Sequence, residues 1–165
     1  MSQPQVAIMM GSDSDWDVMS ACVDQLREFG LTVDVRVCSA HRTPADVEAF
    51  VTGARHVQVF IAAAGMSAAL AGTVAALTTR PVIGVPIESG PLRGMDALLS
   101  TVQMPPGVPV AGMAIGKSGA KNAAILAVQI LGVSDAALAD RLVKFKADQA
   151  EGVRQKHAKL QEKLG

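Results

Sequence analysis

"VAIMMGSDSDW", residues 6–16, decides how the chain is read. The apolar run Val6–Met10 shows no alternation, so it reads as a strand covered on both faces, as in a parallel sheet. Gly11 allows a tight turn, and Ser12 and Ser14 add hydroxyls. Val18, Cys22, Leu26 and Phe29 then recur at helical spacing, and Gly30 closes the helix. A buried strand, a glycine-led polar turn and a helix form the repeating piece of α/β folds. Ligands of such folds lie beyond the carboxyl ends of the strands.

The same alternation continues. "TVDVRV" (32–37) sets Val33, Val35 and Val37 on one face, as expected of a second strand near an edge. Thr43 and Pro44 open a helix, with Thr43 as cap, Pro44 in the first position and Asp46 three residues beyond Thr43. "VQVFIAAAG" (57–65) reads as the third strand, followed by a small-residue helix through Leu70 to Leu77. "PVIGVP" (81–86) reads as a fourth strand, "LRGMDALLSTV" (92–102) as a helix, and "VPVAGMAIG" (108–116) as a fifth, short strand. Lys117–Leu131 is helical, and Ser134 is expected to cap a last helix carrying Leu138, Leu142, Phe145, Val153, Leu160 and Leu164. At roughly thirty residues that helix exceeds the width of a small domain, so its outer turns are expected to pack against a neighbouring subunit or to fray. The expected fold class is α/β with a mainly parallel sheet. Residues 1–165 are expected to form a single domain, with 134–165 a C-terminal helix used in oligomer packing.

Composition narrows the function. Lys plus Arg is 15 and Asp plus Glu is 15, a balance that argues against a nucleic-acid or anionic-membrane surface. Hydrophobic residues make up 50% of the chain and aromatics only 3%, a small-residue composition with apolar surface to spare for subunit contacts. Val57–Thr79 carries no charge and is long enough to span a bilayer. Its Gly, Ala, Ser and Thr content, with Gly65 and Gly72, suits a strand–turn–helix break in a core instead. Cys22 and Cys38 form no C-x-x-C pair, and residues 1–5 with Pro4 do not read as a secretory leader. The expected setting is a reducing cytoplasm, with Cys38 a small buried hydrophobe.

Three loops carry candidate chemistry. In "GSDSDW" the serines and the helix N–H groups suit a phosphate, whereas Asp13, Asp15 and Asp17 oppose one. The conflict resolves if one aspartate holds sugar hydroxyls. Plain helix capping by Ser and Asp explains the same residues equally well. In "VCSAHRTP" (37–44) a histidine, able to take and give a proton near neutrality, stands beside a permanent cation at a strand end. His56 and His157 sit among basic residues and read as solvated. "GMAIGKS" (112–118) is one residue short of a P-loop, and "SGAK" (118–121) lacks the companion motifs of its class, so both read as a helix start. Neither metal-ligand spacing nor a dinucleotide-binding glycine motif is present in the sequence.

"MGSDSDW", "SAHRTP", "PVIGVP", "LLSTVQMPPGVPV" and "AIGKSGAKNAAILAVQIL" together resemble the N5-carboxyaminoimidazole ribonucleotide mutases of purine biosynthesis, in order from Val6 to Leu131. The resemblance implies a three-layer, flavodoxin/Rossmann-like α/β sandwich and a cytoplasmic homo-octamer. It also implies a ribonucleotide substrate, with neither metal nor cofactor. His41 matches the acid–base histidine. Ser12, Asp15 and Arg42 match nucleotide-binding positions, with Ser14 and Ser39 beside them. Asp15 is implied on the ribose, and Arg42 with the serines on the phosphate.

One loop departs from the pattern. Bacterial mutases usually read G-G-A-A-H-L-P-G where this chain has "GMSAALAG" (65–72), so Ala69 replaces the loop histidine and Ala71 the proline. Gly65, Ala68, Leu70 and Gly72 persist, and Gly65, Ser67 and Leu70 also fit the G-R-S-N-x-L of the animal-type branch, which carboxylates aminoimidazole ribonucleotide directly with CO2. Arg42 keeps the bacterial form, where that branch has lysine. Beside the mutase, the direct carboxylase and a paralogue binding a related ribonucleotide remain as alternatives.

Overall fold

The structure, a computed structural model, describes residues 3–165. Five parallel strands form one sheet in the order β2-β1-β3-β4-β5. They are β1 (Val6–Met10), β2 (Val33–Val37), β3 (Val59–Gly65), β4 (Val82–Ile87) and β5 (Ala111–Gly112). Six helices alternate with and follow them: α1 (Trp16–Glu28), α2 (Pro44–Gly53), α3 (Leu70–Leu77), α4 (Met95–Val102), α5 (Lys117–Gly132) and α6 (Ala136–Leu164). The expected α/β class with a parallel sheet is what the chain forms.

Sheet position explains each strand's composition. β1 is central, pairing Val6 with Val33 on one side and with Val59 on the other. All its residues are buried, hence the unbroken apolar run. β2 is an edge, and there the alternation survives: Arg36 chelates Asp34 at 2.8 and 3.1 Å and lies 5.0 Å above the Phe50 ring of α2. Val37, on the same face as Val33 and Val35, is 57% exposed, because it ends an edge strand. The fifth strand shrinks to Ala111–Gly112, since only those residues find ladder partners, Ile83 and Gly84.

One core lies between the sheet and α2 and α3, where Ala7, Met9, Phe60 and Ala62 meet Val47, Val51, Leu70 and Val74. By strand alternation Ile8 and Ile61 face the other way and are fully buried. The buried side chains of α1 are Met19, Cys22, Val23, Gln25 and Leu26. Burial lifts the Cys22 thiol to about 12, and the backbone of Ala124 in α5 opposes that shift. Helices thus flank the sheet, and Val57–Thr79 divides into β3 and α3 rather than one span. Among the described residues no helix is long and apolar enough to cross a membrane.

The chain resolves into two compact units, one ending at Ala127 and one running Val128–Gly165. In the second, α6 is capped by Asp135, not by Ser134 as the sequence suggested. The Asp135 carboxylate accepts from Ala137 N at 3.0 Å and Leu138 N at 3.1 Å, whereas the Ser134 hydroxyl turns back to the Leu131 carbonyl. A Cβ on Gly132 would stand 3.3 Å from Leu142, so glycine lets the two helices of this unit approach closely. With 29 residues, α6 is about 43 Å long.

Candidate active site

The chain leaves β1 toward β2 on one side and returns to β3 on the other. This reversal opens a crevice at the carboxyl ends of β1 and β3. The Gly11 amide donates to the Ala63 carbonyl at 3.0 Å there, and the Cys38 amide to Met10 O at 2.8 Å. Loops after β1, β2, β3 and β4 surround a cavity of about 530 Å³.

The first loop is a single turn of 3-10 helix, Asp13–Asp15, ahead of α1. Ser12 caps it: Ser14 N donates to Ser12 Oγ at 3.3 Å, and Ser12 N donates to Asp15 Oδ2 at 3.1 Å. The capping explanation is therefore realised, yet Ser12, Ser14 and Asp15 also line the cavity. The same side chains shape the loop and face the ligand space. Asp15 is buried, and its pKa is raised by that burial. The amides of Ser12 and Gly11 pull the other way, Asp13 adds to the rise, and Arg42 lowers it.

The second loop is held by its own side chains. Thr43 precedes Pro44 at the head of α2 but makes no side-chain cap. Its hydroxyl turns back on Ser39 instead, accepting Ser39 N at 2.9 Å and donating to Ser39 O at 3.3 Å. Ser39 Oγ in turn accepts Arg42 N at 3.2 Å. This closed ring of bonds fixes the backbone that presents His41 and Arg42 to the cavity. Arg42 Nη2 reaches across to the carbonyl of Gly11 at 3.0 Å. Cys38, buried just before this loop, has its thiol pKa raised by burial and by Asp46.

The third wall is apolar, made of Ala64, Gly65, Met66, Ala69 and Leu70, with Ser67 among them. Ala69 lines this wall. Ala68 does not: its side chain is buried behind the wall, so it is the one proposed site residue outside the cavity lining. Met66 takes φ 54, a left-handed backbone that glycine adopts freely and a side chain resists. Sequence reasoning missed Met66 and also Ser89, which lines the cavity from the loop after β4. The signal for Ser89 was available: Glu88-Ser89-Gly90 is polar and directly follows an apolar strand.

His56 and His157 lie outside the cavity lining; His157 is exposed, and His56 is half-buried rather than fully solvated. Among the described residues no group of three His, Cys, Asp or Glu could hold a metal ion.

A family profile described as AIR carboxylase matches residues 5–152. The chain belongs to the AIR carboxylase family. A relative from Mycobacterium leprae, N5-carboxyaminoimidazole ribonucleotide mutase, is 52% identical over 161 residues, covering 96% of this chain and 93% of its own. The mutase of Saccharolobus solfataricus is 52% identical over 152 residues, covering 91% and 95%. The crystal structure of Treponema denticola PurE superposes with a TM-score of 0.86 at 30% identity, covering 96% of this chain and 99% of that one. In this AIR carboxylase family member, the cavity joins a polar rim that carries His41 and Arg42 to an apolar wall that carries Ala69.

Proposed function

We propose that the chain is an N5-carboxyaminoimidazole ribonucleotide mutase of purine biosynthesis, an isomerase that moves the carboxyl group from N5 to ring carbon C4. The observation that carries this reading is the joining of a histidine–arginine pair and an apolar, glycine-led wall in one cavity. Arg42 with Ser12, Ser14 and Ser39 takes the phosphate, and Asp15 takes the ribose hydroxyls.

In the reaction the N5–C bond breaks and its electron pair stays on N5, which accepts a proton from His41. The released CO2 stays against the wall formed by Gly65, Ser67 and Leu70, with Ala68 backing it. Excluding water there matters more than offering charge. The ring π pair of C4 then bonds to CO2, and the C4 proton returns to His41. Atoms and electrons balance without an added reactant.

Ala69 in place of the loop histidine keeps direct carboxylation of aminoimidazole ribonucleotide as a second reading, and a ribonucleotide-binding paralogue as a third. We also assign the protein to the cytoplasm and to a homo-octamer, and read residues 1–165 as one functional domain with 134–165 packing in the oligomer. Support for assembly comes from apolar side chains exposed on the single chain: Leu92, Met95, Leu99 and Val102 on and beside α4, and Val143, Val153, Leu160 and Leu164 on α6.

A paired assay tests the reaction. One arm supplies N5-carboxyaminoimidazole ribonucleotide without bicarbonate and with a CO2 scavenger. The other supplies aminoimidazole ribonucleotide with varied CO2. C4-carboxylated product in the first arm alone is the expected result. Product in the second arm alone makes the protein a carboxylase, and silence in both from folded protein leaves the paralogue.

A further inference from the structure

We propose that Ser89 is a positioning residue for the carboxyl group that moves, acting from the loop after β4. The inference rests on the mutase reading and deepens it. The hydroxyls of the polar rim are assigned to the phosphate and bond within their own loops. Ser12 Oγ donates to Asp13 at 3.1 Å, Ser14 Oγ donates to Ser12 Oγ at 2.9 Å, and Ser39 Oγ accepts Arg42 N at 3.2 Å. On the apolar side the cavity is lined by only two hydroxyl side chains, Ser67 and Ser89, and neither has a hydrogen-bond partner among the described residues.

Ser89 is the better placed of the two. Its Oγ occupies the space that a side chain at residue 65 would need, so a Cβ on Gly65 would collide with it. A side chain at residue 65 would displace the Ser89 hydroxyl and press on its Cβ and on the Ile87 carbonyl. The hydroxyl is half-buried against the turn that leaves β3, whereas Ser67 is exposed. With Ala at 69, no cation or imidazole stands on this wall.

The chemistry favours a neutral donor here. The migrating group is an anion while it is attached to N5 or C4 and is neutral CO2 in between. A cation would stabilise the attached carboxylate more than the transition state and oppose bond cleavage. A hydroxyl donates to the carboxylate, orients it, and costs little when the charge disappears.

The test uses the full-length protein with Ser89→Ala, which keeps the Cβ packed on Gly65 and removes only the oxygen. Dissociation constants are measured for the C4-carboxylated ribonucleotide and for aminoimidazole ribonucleotide, together with kcat, KM and CO2 escape per turnover. We expect affinity for the carboxylated ligand to fall about tenfold or more, while that for the uncarboxylated one stays within about twofold. CO2 escape should rise, and Ser89→Thr should recover part of the loss. Equal weakening of both ligands, or of neither, overturns the role of Ser89. Failure of the mutase reading looks different: the wild-type protein gives no product from the N5-carboxylated substrate, while the ratio of the two affinities still reports on Ser89.

Discussion

Arg42 Nη2 donates to the backbone carbonyl of Gly11 at 3.0 Å, tying together two loops that lie 31 residues apart in sequence. The arginine thereby does two jobs. It holds the loop after β2 against the loop after β1, and it places a permanent cation beside the acidic residues of that first loop. A phosphate would otherwise meet Asp13 and Asp15 with no compensating charge.

Replacing Arg42 by alanine separates these effects. The expected loss for a phosphorylated ligand is about thirtyfold or more, the scale of a charge-assisted contact, against less than about threefold for the matching nucleoside. Titration calorimetry with the two ligands checks it. Equal losses would mean that Arg42 acts through loop geometry and does not touch the phosphate.

Asp15 gives a pH prediction. Burial raises its pKa above the ordinary 3.8, so the folded state holds the proton more tightly than the unfolded chain. Stability from this group is therefore greatest at low pH and falls as pH rises from about 3.8 through the folded-state value. Asp15→Asn keeps an oxygen for the Ser12 amide and removes the charge. The variant should melt a few degrees higher at neutral pH and show a flatter melting profile between about pH 4 and about pH 7. It should also bind the ribonucleotide more weakly. A melting difference that does not change with pH would count against a buried-charge origin.

The parts of the fold that were legible are those where one local signal had no competitor. The unbroken run Val6–Met10 could only be a strand with both faces covered, and the sheet puts it in the centre. Capping was harder, because several short polar side chains stand close enough to compete for one set of amides. Asp135 displaces Ser134, and Thr43 abandons the α2 cap for Ser39. The cavity's polar rim followed from residue type at strand ends. Ser89 carries the same signal, a polar residue after β4, but its closeness to Gly65 does not show in the sequence, since it depends on two loops that are distant in sequence. Ala68 is buried and outside the cavity lining, a placement the sequence could not show because facing direction within a turn is not periodic.

Met66 offers a test of the altered loop. A left-handed backbone costs an ordinary residue about 1–2 kcal/mol, while glycine adds about 0.4–1 kcal/mol of unfolded-state freedom. The side chain is 57% exposed, so little burial is lost on removing it. Met66→Gly should raise stability by up to about 1 kcal/mol, seen as a melting point a few degrees higher. A lower melting point would show that the packing of the Met66 side chain outweighs the strain.

The outer face of α4 makes the last prediction. Met95, Leu99 and Val102 follow a 4-3 spacing that aligns them along one side of the helix, Leu92 stands in the turn before it, and in chain order the four are 60%, 51%, 52% and 44% exposed. Ala97 and Thr101 are the buried residues of α4, on its inner side. The proposed subunit contact is assigned to this row of large apolar side chains. Leu99→Asp leaves the inner side intact, so the far-UV circular dichroism should be unchanged. A carboxylate inside an apolar subunit contact has no partner, and its desolvation opposes association. The variant should therefore appear by light scattering as a smaller species than the wild type at the same concentration, and dilution should widen the difference. An unchanged mass on dilution would place the subunit contacts elsewhere, with the exposed residues of α6 the next surface to change.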